Sequence, residues 1–157
     1  MRKVIANTTP LISLAEIDCF DILQKLYGEI VIPNAVFEEI KSEPAKTLVK
    51  NCDFIRICAV KDYSLKRIFS SRLHAGEIDV LLLANEQKAD LLIIDDNAAK
   101  KTAKFIGFKV TGTLGILLNG KKNGYIRNIK PLLDKLEKNG FYVSKNVEQY
   151  VLAEANE

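Results

Sequence analysis

The chain has few of the residues that structural zinc sites and disulfide frameworks need. Its 157 residues include one histidine, His74, and three cysteines, Cys19, Cys52 and Cys58. The cysteines are odd in number and lack C-x-x-C spacing, so neither a tetrahedral zinc site nor a disulfide framework is expected. We interpret the cysteines as buried free thiols.

Long apolar runs are also missing. The first ten residues are basic and then briefly apolar before Pro10 interrupts them, which is typical of neither a signal peptide nor a membrane span. No later run approaches the ~18 apolar residues that a bilayer-crossing helix needs. With 48% hydrophobic residues, the chain is expected to form one domain over 1–157, with its core at about 3–145 and a last helix at 146–155. We predict a cytoplasmic protein without a membrane partner.

Basic residues are concentrated in the second half of the chain. The net charge is only +3, but residues 97–145 contain eleven basic and two acidic side chains, whereas residues 7–43 contain seven acidic and two basic ones. Such asymmetry suits a polyanionic partner. The lysines expected to contact nucleic acid are Lys100, Lys101, Lys104, Lys121 and Lys122. The alternative is that these lysines form solvated helix faces that keep the protein soluble.

Short β-rich runs alternate with helical segments along the chain. The runs predict strands at 3–6, 29–32, 54–60, 90–94 and 108–110. Apolar periodicity and stop signals predict helices at 10–17, 20–26, 34–41, 45–52, 62–71, 73–84, 97–106, 114–122, 129–139 and 146–155. This alternation indicates parallel strands joined by crossover helices. The predicted fold class is α/β, a three-layer α/β/α arrangement around a parallel sheet of four to five strands.

Polar side chains follow two of the predicted strands. Asn7 comes after the first strand, and Asp95 and Asp96 follow the apolar run at 91–94. In parallel α/β folds, ligands bind beyond the carboxyl ends of the strands, so we expect these side chains near such a site. Glu39, near the end of one helix, and Glu77, at the start of another, would be brought there by their helices. Taken singly, Glu39 is better explained as a solvated residue and Asp95 and Asp96 as helix caps, whereas Glu77 is about as well explained by its favourable place at a helix start.

Carboxylates gathered in one cleft need a cation or a proton. Two like charges ~4 Å apart repel by about 4 kcal/mol at an effective dielectric constant of ~20. Carboxylate and amide oxygens are hard ligands that Mg²⁺ or Mn²⁺ prefers, and such ions act on phosphates by activating water and stabilising the leaving oxygen. The predicted reaction is therefore hydrolysis of a phosphodiester.

The order of these residues resembles a known family. The matching segments are Asn7-Thr8-Thr9-Pro10-Leu11-Ile12, Ile32-Pro33-x-Ala35-Val36-Phe37-Glu38-Glu39-Ile40, Gly76-Glu77, Leu92-Ile93-Ile94-Asp95-Asp96 and Thr111-Gly112-Thr113-Leu114-Gly115. Together they look like PIN-domain proteins over roughly residues 3–145, and they resemble most a prokaryotic subgroup of that family. The resemblance implies a PIN-like parallel sheet and metal-dependent RNA cleavage, often by the toxin of a toxin–antitoxin pair. It also implies RNA and an antitoxin as partners, and a homodimer.

The resemblance also assigns roles to individual residues. The family's metal-binding acids correspond to Asn7, Glu39, Glu77 and either Asp95 or Asp96, since the strand-end pattern fits both registers. Thr9 corresponds to a hydroxyl that assists the site from the turn after the first strand. The implied cofactor is Mg²⁺ or Mn²⁺.

Asn7 departs from the family pattern, which has an aspartate there. An amide oxygen still coordinates a hard cation, but a full negative charge is lost, so metal affinity and water activation should weaken. Two hypotheses follow: a ribonuclease weakened by Asn7, or a degenerate PIN-like module that binds RNA or a partner protein without cleavage. A phosphoacceptor receiver is disfavoured because Asn7-Thr8 replaces its pair of acids, and a dinucleotide-binding domain because no G-x-G-x-x-G follows a strand.

Overall fold

The computed structural model describes residues 2–69 and 73–157. Across these ranges five strands form one parallel sheet in the order β3-β2-β1-β4-β5. The strands are β1 (Val4–Ala6), β2 (Ile30–Pro33), β3 (Ile55–Cys58), β4 (Leu91–Ile93) and β5 (Val110–Thr111). β1, β2 and β4 are fully buried, as uninterrupted apolar sequences predict for strands covered on both faces.

The described ranges contain ten helices, of which the first seven lie between strands and the last three follow β5. They are α1 (Thr8–Glu16), α2 (Ile22–Tyr27), α3 (Asn34–Glu39), α4 (Ala45–Asn51), α5 (Lys66–Phe69), α6 (Ala75–Gln87), α7 (Asn97–Ile106), α8 (Thr113–Lys122), α9 (Lys130–Lys138) and α10 (Lys145–Glu154). α1 and α2 both pack on α8, whereas α6 packs on β1, β2, α3 and α5. The predicted α/β class with a parallel sheet of up to five strands is confirmed.

The sheet changes its winding direction between β1 and β4. β1 leads through α1 and α2 to β2 on one side, and β4 leads through α7 to β5 on the other. Right-handed crossovers in opposite directions place their helices on opposite faces, so a crevice opens beyond the carboxyl ends of β1 and β4. Ala6 pairs with Ile93, and the Asn7 N–H donates to the Ile93 carbonyl at 2.9 Å. The residues that follow these strands therefore start from neighbouring points of one edge.

Some predicted elements differ in extent. The helix predicted at 62–71 is limited to α5, and its predicted part at Ser70 and Ser71 lies outside the described residues. The strand predicted at 108–110 begins only at Val110, because α7 ends in a glycine cap. Gly107 has φ +113°, and the Phe108 N–H donates to the Ala103 carbonyl at 3.0 Å, so this N–H is bonded to the end of α7 and not to a strand.

The cysteines are free, as predicted, but they are not all buried. Cys19 is buried, whereas Cys52 and Cys58 are half-buried. Cys58 lies on β3, the edge strand of the sheet, which has a neighbouring strand on one side only. The side chains of an edge strand such as β3 are less completely covered by neighbouring elements than those of β1.

A search for membrane-crossing segments gave a negative result. Among the described residues, no helix is both long and apolar enough to cross a lipid bilayer.

Candidate functional site

Four of the predicted site residues, Asn7, Thr9, Glu39 and Glu77, line one cavity at the carboxyl edge of the sheet. Asn7 follows β1, Glu39 ends α3, and Glu77 lies in the first turn of α6. The cavity has a volume of about 360 Å³, and its lining residues are Asn7, Thr8, Thr9, Glu39, His74, Ala75 and Glu77. We call it the carboxylate cavity. The fold thus brings together side chains that are up to 70 positions apart in sequence.

Glu39 is fixed by two hydrogen bonds from different elements. Its Oε2 accepts from the Thr8 hydroxyl at 2.8 Å, and its Oε1 accepts from the Gly76 backbone N–H at 2.9 Å. The hydroxyl that bonds to Glu39 is that of Thr8, a residue that the sequence did not single out. Thr9 lines the same cavity but is exposed. The N-terminal turn of α6 and the start of α1 together hold the carboxylate at the cavity wall.

Glu77 is a buried carboxylate with raised proton affinity. Its side chain belongs to a residue that is only 7% exposed, and its Oε1 accepts from the His74 backbone N–H at 2.9 Å. Burial raises the pKa of Glu77, and the negative charges of Asp96 and Glu39 raise it further, against the hydrogen bond from His74. The ionised form of Glu77 would gain from a nearby cation.

Asn7 has a buried oxygen without a hydrogen bond. The residue is 5% exposed, and its Oδ1 accepts no hydrogen bond from the described residues. Leaving a buried acceptor unsatisfied costs about 1–3 kcal/mol, so such atoms are rare unless a water or an ion binds them. Because Asn7 lines the carboxylate cavity, its oxygen is a candidate ligand beside Glu39 and Glu77.

Asp95 and Asp96 contact different parts of the molecule. Asp95 accepts from the Thr113 N–H and from the Thr113 hydroxyl, both at 2.7 Å, and Thr113 is fully buried. Burial raises the pKa of Asp95, while the bonds from Thr113 and the charge of Lys100 lower it. Asp96 instead caps α7, its Oδ2 accepting from the Ala99 N–H at 2.9 Å, and its charge acts on Glu77. Of the two aspartates, Asp96 is the one whose charge raises the pKa of Glu77, which lines the carboxylate cavity.

The expected dense cluster of carboxylates is not seen. Within residues 2–69 and 73–157, no three His, Cys, Asp or Glu side chains are grouped so that they could hold a metal ion. The carboxylate cavity offers two carboxylates and one amide oxygen, with the charge of Asp96 nearby. Mg²⁺ is often held by one or two carboxylates and otherwise by water and substrate phosphate, so this donor set fits a hard divalent ion with a sparse protein shell.

The predicted nucleic-acid lysines occupy three kinds of position. Lys101 and Lys104 are exposed on α7, and Lys122 is exposed at the end of α8. Lys100 is half-buried near Asp95. Lys121 is held by the Glu157 carboxylate at 2.8 Å, so its charge is already compensated within the chain. Contact with a phosphate backbone is therefore open to four of the five.

Sequence reasoning missed the residues that position these acids. Thr8, Gly76 and Thr113 all lie in the motifs quoted above, but nothing in the local sequence shows that they bond to carboxylates 31, 37 and 18 positions away. A Cβ at Gly76 would lie 2.6 Å from Oε2 of Glu39. Membership of a motif was the only available signal.

Comparison with known proteins gives the family. A family model described as a PIN domain matches residues 3–157, nearly the whole chain. The comparison with curated proteins gave no matching relative. With the parallel sheet and the carboxyl-edge cavity, this match shows that the chain belongs to the PIN-domain family.

Proposed function

We propose that this PIN domain is a ribonuclease that depends on Mg²⁺ or Mn²⁺. The observation that carries the proposal is the buried, unpartnered Oδ1 of Asn7, a residue that lines the same cavity as Glu39 and Glu77. PIN domains generally use divalent metal ions and often bind RNA, which makes a phosphodiester of RNA the natural substrate. A bound ion would activate a water molecule and offset the charge that develops on the phosphate.

The residues at and around the carboxylate cavity have different roles in this proposal. Asn7, Glu39 and Glu77 would hold the ion, and Asp96 would add negative charge from the end of β4. Thr8 and Gly76 are positioning residues, since they fix the carboxylate of Glu39 and do not themselves reach the ion. The exposed lysines of α7 and α8 would hold the phosphate backbone of RNA by charge.

A second function is favoured by the same asparagine. Asn7 stands where the family pattern has an aspartate, so the site has one negative charge fewer to bind a metal ion. The alternative proposal is a degenerate PIN domain that binds RNA or a partner protein without cleaving it. The two proposals share the fold and the basic surface, and they differ only in whether the site cleaves RNA.

The biological setting follows from the family alone. PIN domains often bind antitoxin proteins, so we propose a role as the toxin of a toxin–antitoxin pair in the cytoplasm. A homodimer is also proposed, and Val147 and Tyr150 are exposed apolar residues on α10 that such an interface could cover, being 42% and 63% exposed. Size-exclusion chromatography with light scattering tests the dimer.

Cleavage of labelled RNA with Mn²⁺ or EDTA tests the main proposal. Wild type should cleave only with Mn²⁺, and Glu77→Gln, which keeps the hydrogen bond to His74 but removes the charge, should lower the rate by roughly 100-fold, or ~2.7 kcal/mol of barrier. Asn7→Asp should raise the rate. The matched control is Glu38→Gln, an exposed neighbour of Glu39 that does not line the cavity. Strong cleavage by Asn7→Asp with none by wild type would establish the binding module instead.

A further inference from the structure

A second cavity borders Asp95 at the same edge of the sheet. Its volume is about 360 Å³, within the ~300–1,000 Å³ range of pockets for small ligands. Its lining comes from the start of α7, the β5–α8 junction and the segment at 141–147. The lining residues used below are Asp95, Lys100, Gly112, Gly115 and Tyr142. We call it the tyrosine cavity.

Lys100 places a positive charge at the tyrosine cavity, where it acts on the neighbouring carboxylate of Asp95. In the described part of the chain, its ammonium forms no ion pair with any carboxylate. Asp95, the nearby acid, already receives two hydrogen bonds from Thr113. A Cβ at Gly112 would lie 2.6 Å from Asp95 Oδ1 and 3.1 Å from the Lys100 Nζ, so the lack of a side chain at Gly112 leaves space next to both groups. An anionic group of a ligand can therefore reach it.

Tyr142 supplies an aromatic face. The residue is 85% exposed, and its ring stacks on no aromatic side chain or cation of the described residues. An exposed aromatic ring that lines the same cavity as a lysine suits a ligand that combines an aromatic plane with a phosphate. Nucleotides of single-stranded RNA have this combination, since their bases stack on aromatic side chains and their phosphates pair with cations.

The inference rests on the proposed RNA function and refines it. We propose that the tyrosine cavity binds one nucleotide of an unpaired RNA strand, with its base stacked on Tyr142 and its phosphate paired with Lys100. Asp95 lines this cavity, and the charge of the next residue, Asp96, acts on Glu77 in the carboxylate cavity, so the two cavities lie on the same edge of the sheet. A nucleotide held here would fix the position of the strand relative to the proposed metal ion. Duplex RNA hides its base faces and is not bound in this way.

Binding of RNA in EDTA tests the subsite without cleavage. Fluorescence anisotropy of a labelled, unpaired oligoribonucleotide with the full chain gives the dissociation constant. Tyr142→Ala should weaken binding by roughly 5- to 100-fold, the loss of one stacked base, and Tyr142→Phe should restore it. Lys100→Gln should weaken binding and reduce its salt dependence. Affinity for a duplex of the same length should be unchanged by Tyr142→Ala.

Tyr63→Ala is the matched control. Tyr63 is 49% exposed, but it lies near the negative charges of Asp79 and Glu86, which would repel RNA. The subsite is wrong if Tyr142→Ala weakens binding no more than Tyr63→Ala, or if wild type binds no unpaired RNA. The two proposals fail separately. Cleavage with Tyr142-independent binding overturns the subsite alone, and Tyr142-dependent binding without cleavage overturns the ribonuclease alone.

A small ligand separates a base pocket from a phosphate pocket. In ¹⁵N NMR spectra, adenosine 5′-monophosphate should shift the amide signals of Gly112, Gly115 and Tyr142, and inorganic phosphate at the same concentration should leave the Tyr142 signal unchanged. Equal shifts from both compounds would contradict stacking of the base. Loss of the shifts in Tyr142→Ala, with Tyr142→Phe retaining them, would support it.

Discussion

At the scale of single residues, a missing side chain decides how Glu39 is held. The Gly76 N–H donates to Glu39 Oε1 at 2.9 Å, and a Cβ at this position would lie 2.6 Å from Glu39 Oε2. Gly76 has ordinary helical backbone in α6, where alanine would be favoured by about 1 kcal/mol. The glycine therefore serves the carboxylate rather than the helix.

Gly76→Ala should separate folding stability from activity. The alanine keeps the backbone N–H and favours the helix, and the exposed Glu39 side chain can move aside, so the free energy of unfolding should stay level or rise by up to ~1 kcal/mol. Mn²⁺-dependent cleavage should fall by roughly tenfold or more, because Glu39 loses its position. Urea unfolding and the RNA assay measure the two quantities. Full activity in Gly76→Ala would show that this position of Glu39 is not needed.

At the scale of elements, the two consecutive aspartates that follow β4 bond to two different helices. Side chains alternate along an extended chain, so Asp95 and Asp96 diverge. Asp95 is bonded to the first turn of α8 through Thr113, and Asp96 is bonded to the first turn of α7 through Ala99. Both are helix-capping contacts, but of the two aspartates only Asp96 has a charge that raises the pKa of Glu77. One strand end thus supplies a structural contact and a candidate site residue.

Matched asparagine variants should tell these two aspartates apart. Asn is as good a cap as Asp, so Asp96→Asn should change the free energy of unfolding by less than ~0.5 kcal/mol. It should nevertheless reduce the rise in Tm on adding Mn²⁺ and the rate of RNA cleavage. Asp95→Asn, which can still bond to Thr113, should leave both largely intact. Differential scanning fluorimetry with and without Mn²⁺ measures the effect, and the reverse pattern would assign the site role to Asp95.

At the scale of the whole molecule, the sequence predicted what local signals determine. The helix over 97–106 was predicted at the bounds that α7 has, because an N-capping Asp96 and a terminal Gly107 mark both ends. Short elements were less well predicted, and β5 is an example. Its pairing with β4 at Leu92 and Ile93 sets where it begins, and that pairing is a contact between distant segments.

The candidate site likewise has features that the sequence predicted and features that only packing determines. Positions after strands are visible in sequence, so the strand pattern alone places Asn7, Asp95 and Asp96 on one edge of the sheet. The bond from Thr8 to Glu39 joins residues that packing brings together. Neither the bond from Thr8 to Glu39 nor the separate contacts of Asp95 and Asp96 follow from periodicity. Both depend on the packing of α1, α3, α6 and α8 around the strand ends.

A carboxylate beyond α10 joins three distant parts of the chain. Glu157 Oε2 accepts from the Lys121 ammonium at 2.8 Å and from the Ile129 N–H at 2.7 Å, and its Oε1 accepts from the Lys130 N–H at 3.0 Å. Its charge thus lies at the start of α9, where backbone N–H groups need acceptors. Burial by itself would raise the pKa of Glu157, but the hydrogen bonds from Lys121, Ile129 and Lys130 outweigh it and lower the pKa to about 2.

Glu157→Gln should remove an acid-sensitive part of the stability. Because the folded-state pKa lies below the ordinary value of 4.5, this contribution is complete above about pH 4.5 and is lost as the pH falls towards 2. At pH 7 the Tm of the variant should be lower by roughly 2–4 °C, and near pH 2 the two proteins should converge. Glu137→Gln, an exposed carboxylate on α9 without an ion pair among the described residues, should match wild type throughout. A Tm difference that stays constant down to pH 2 would mean that packing of the side chain, and not its charge, holds this part of the molecule.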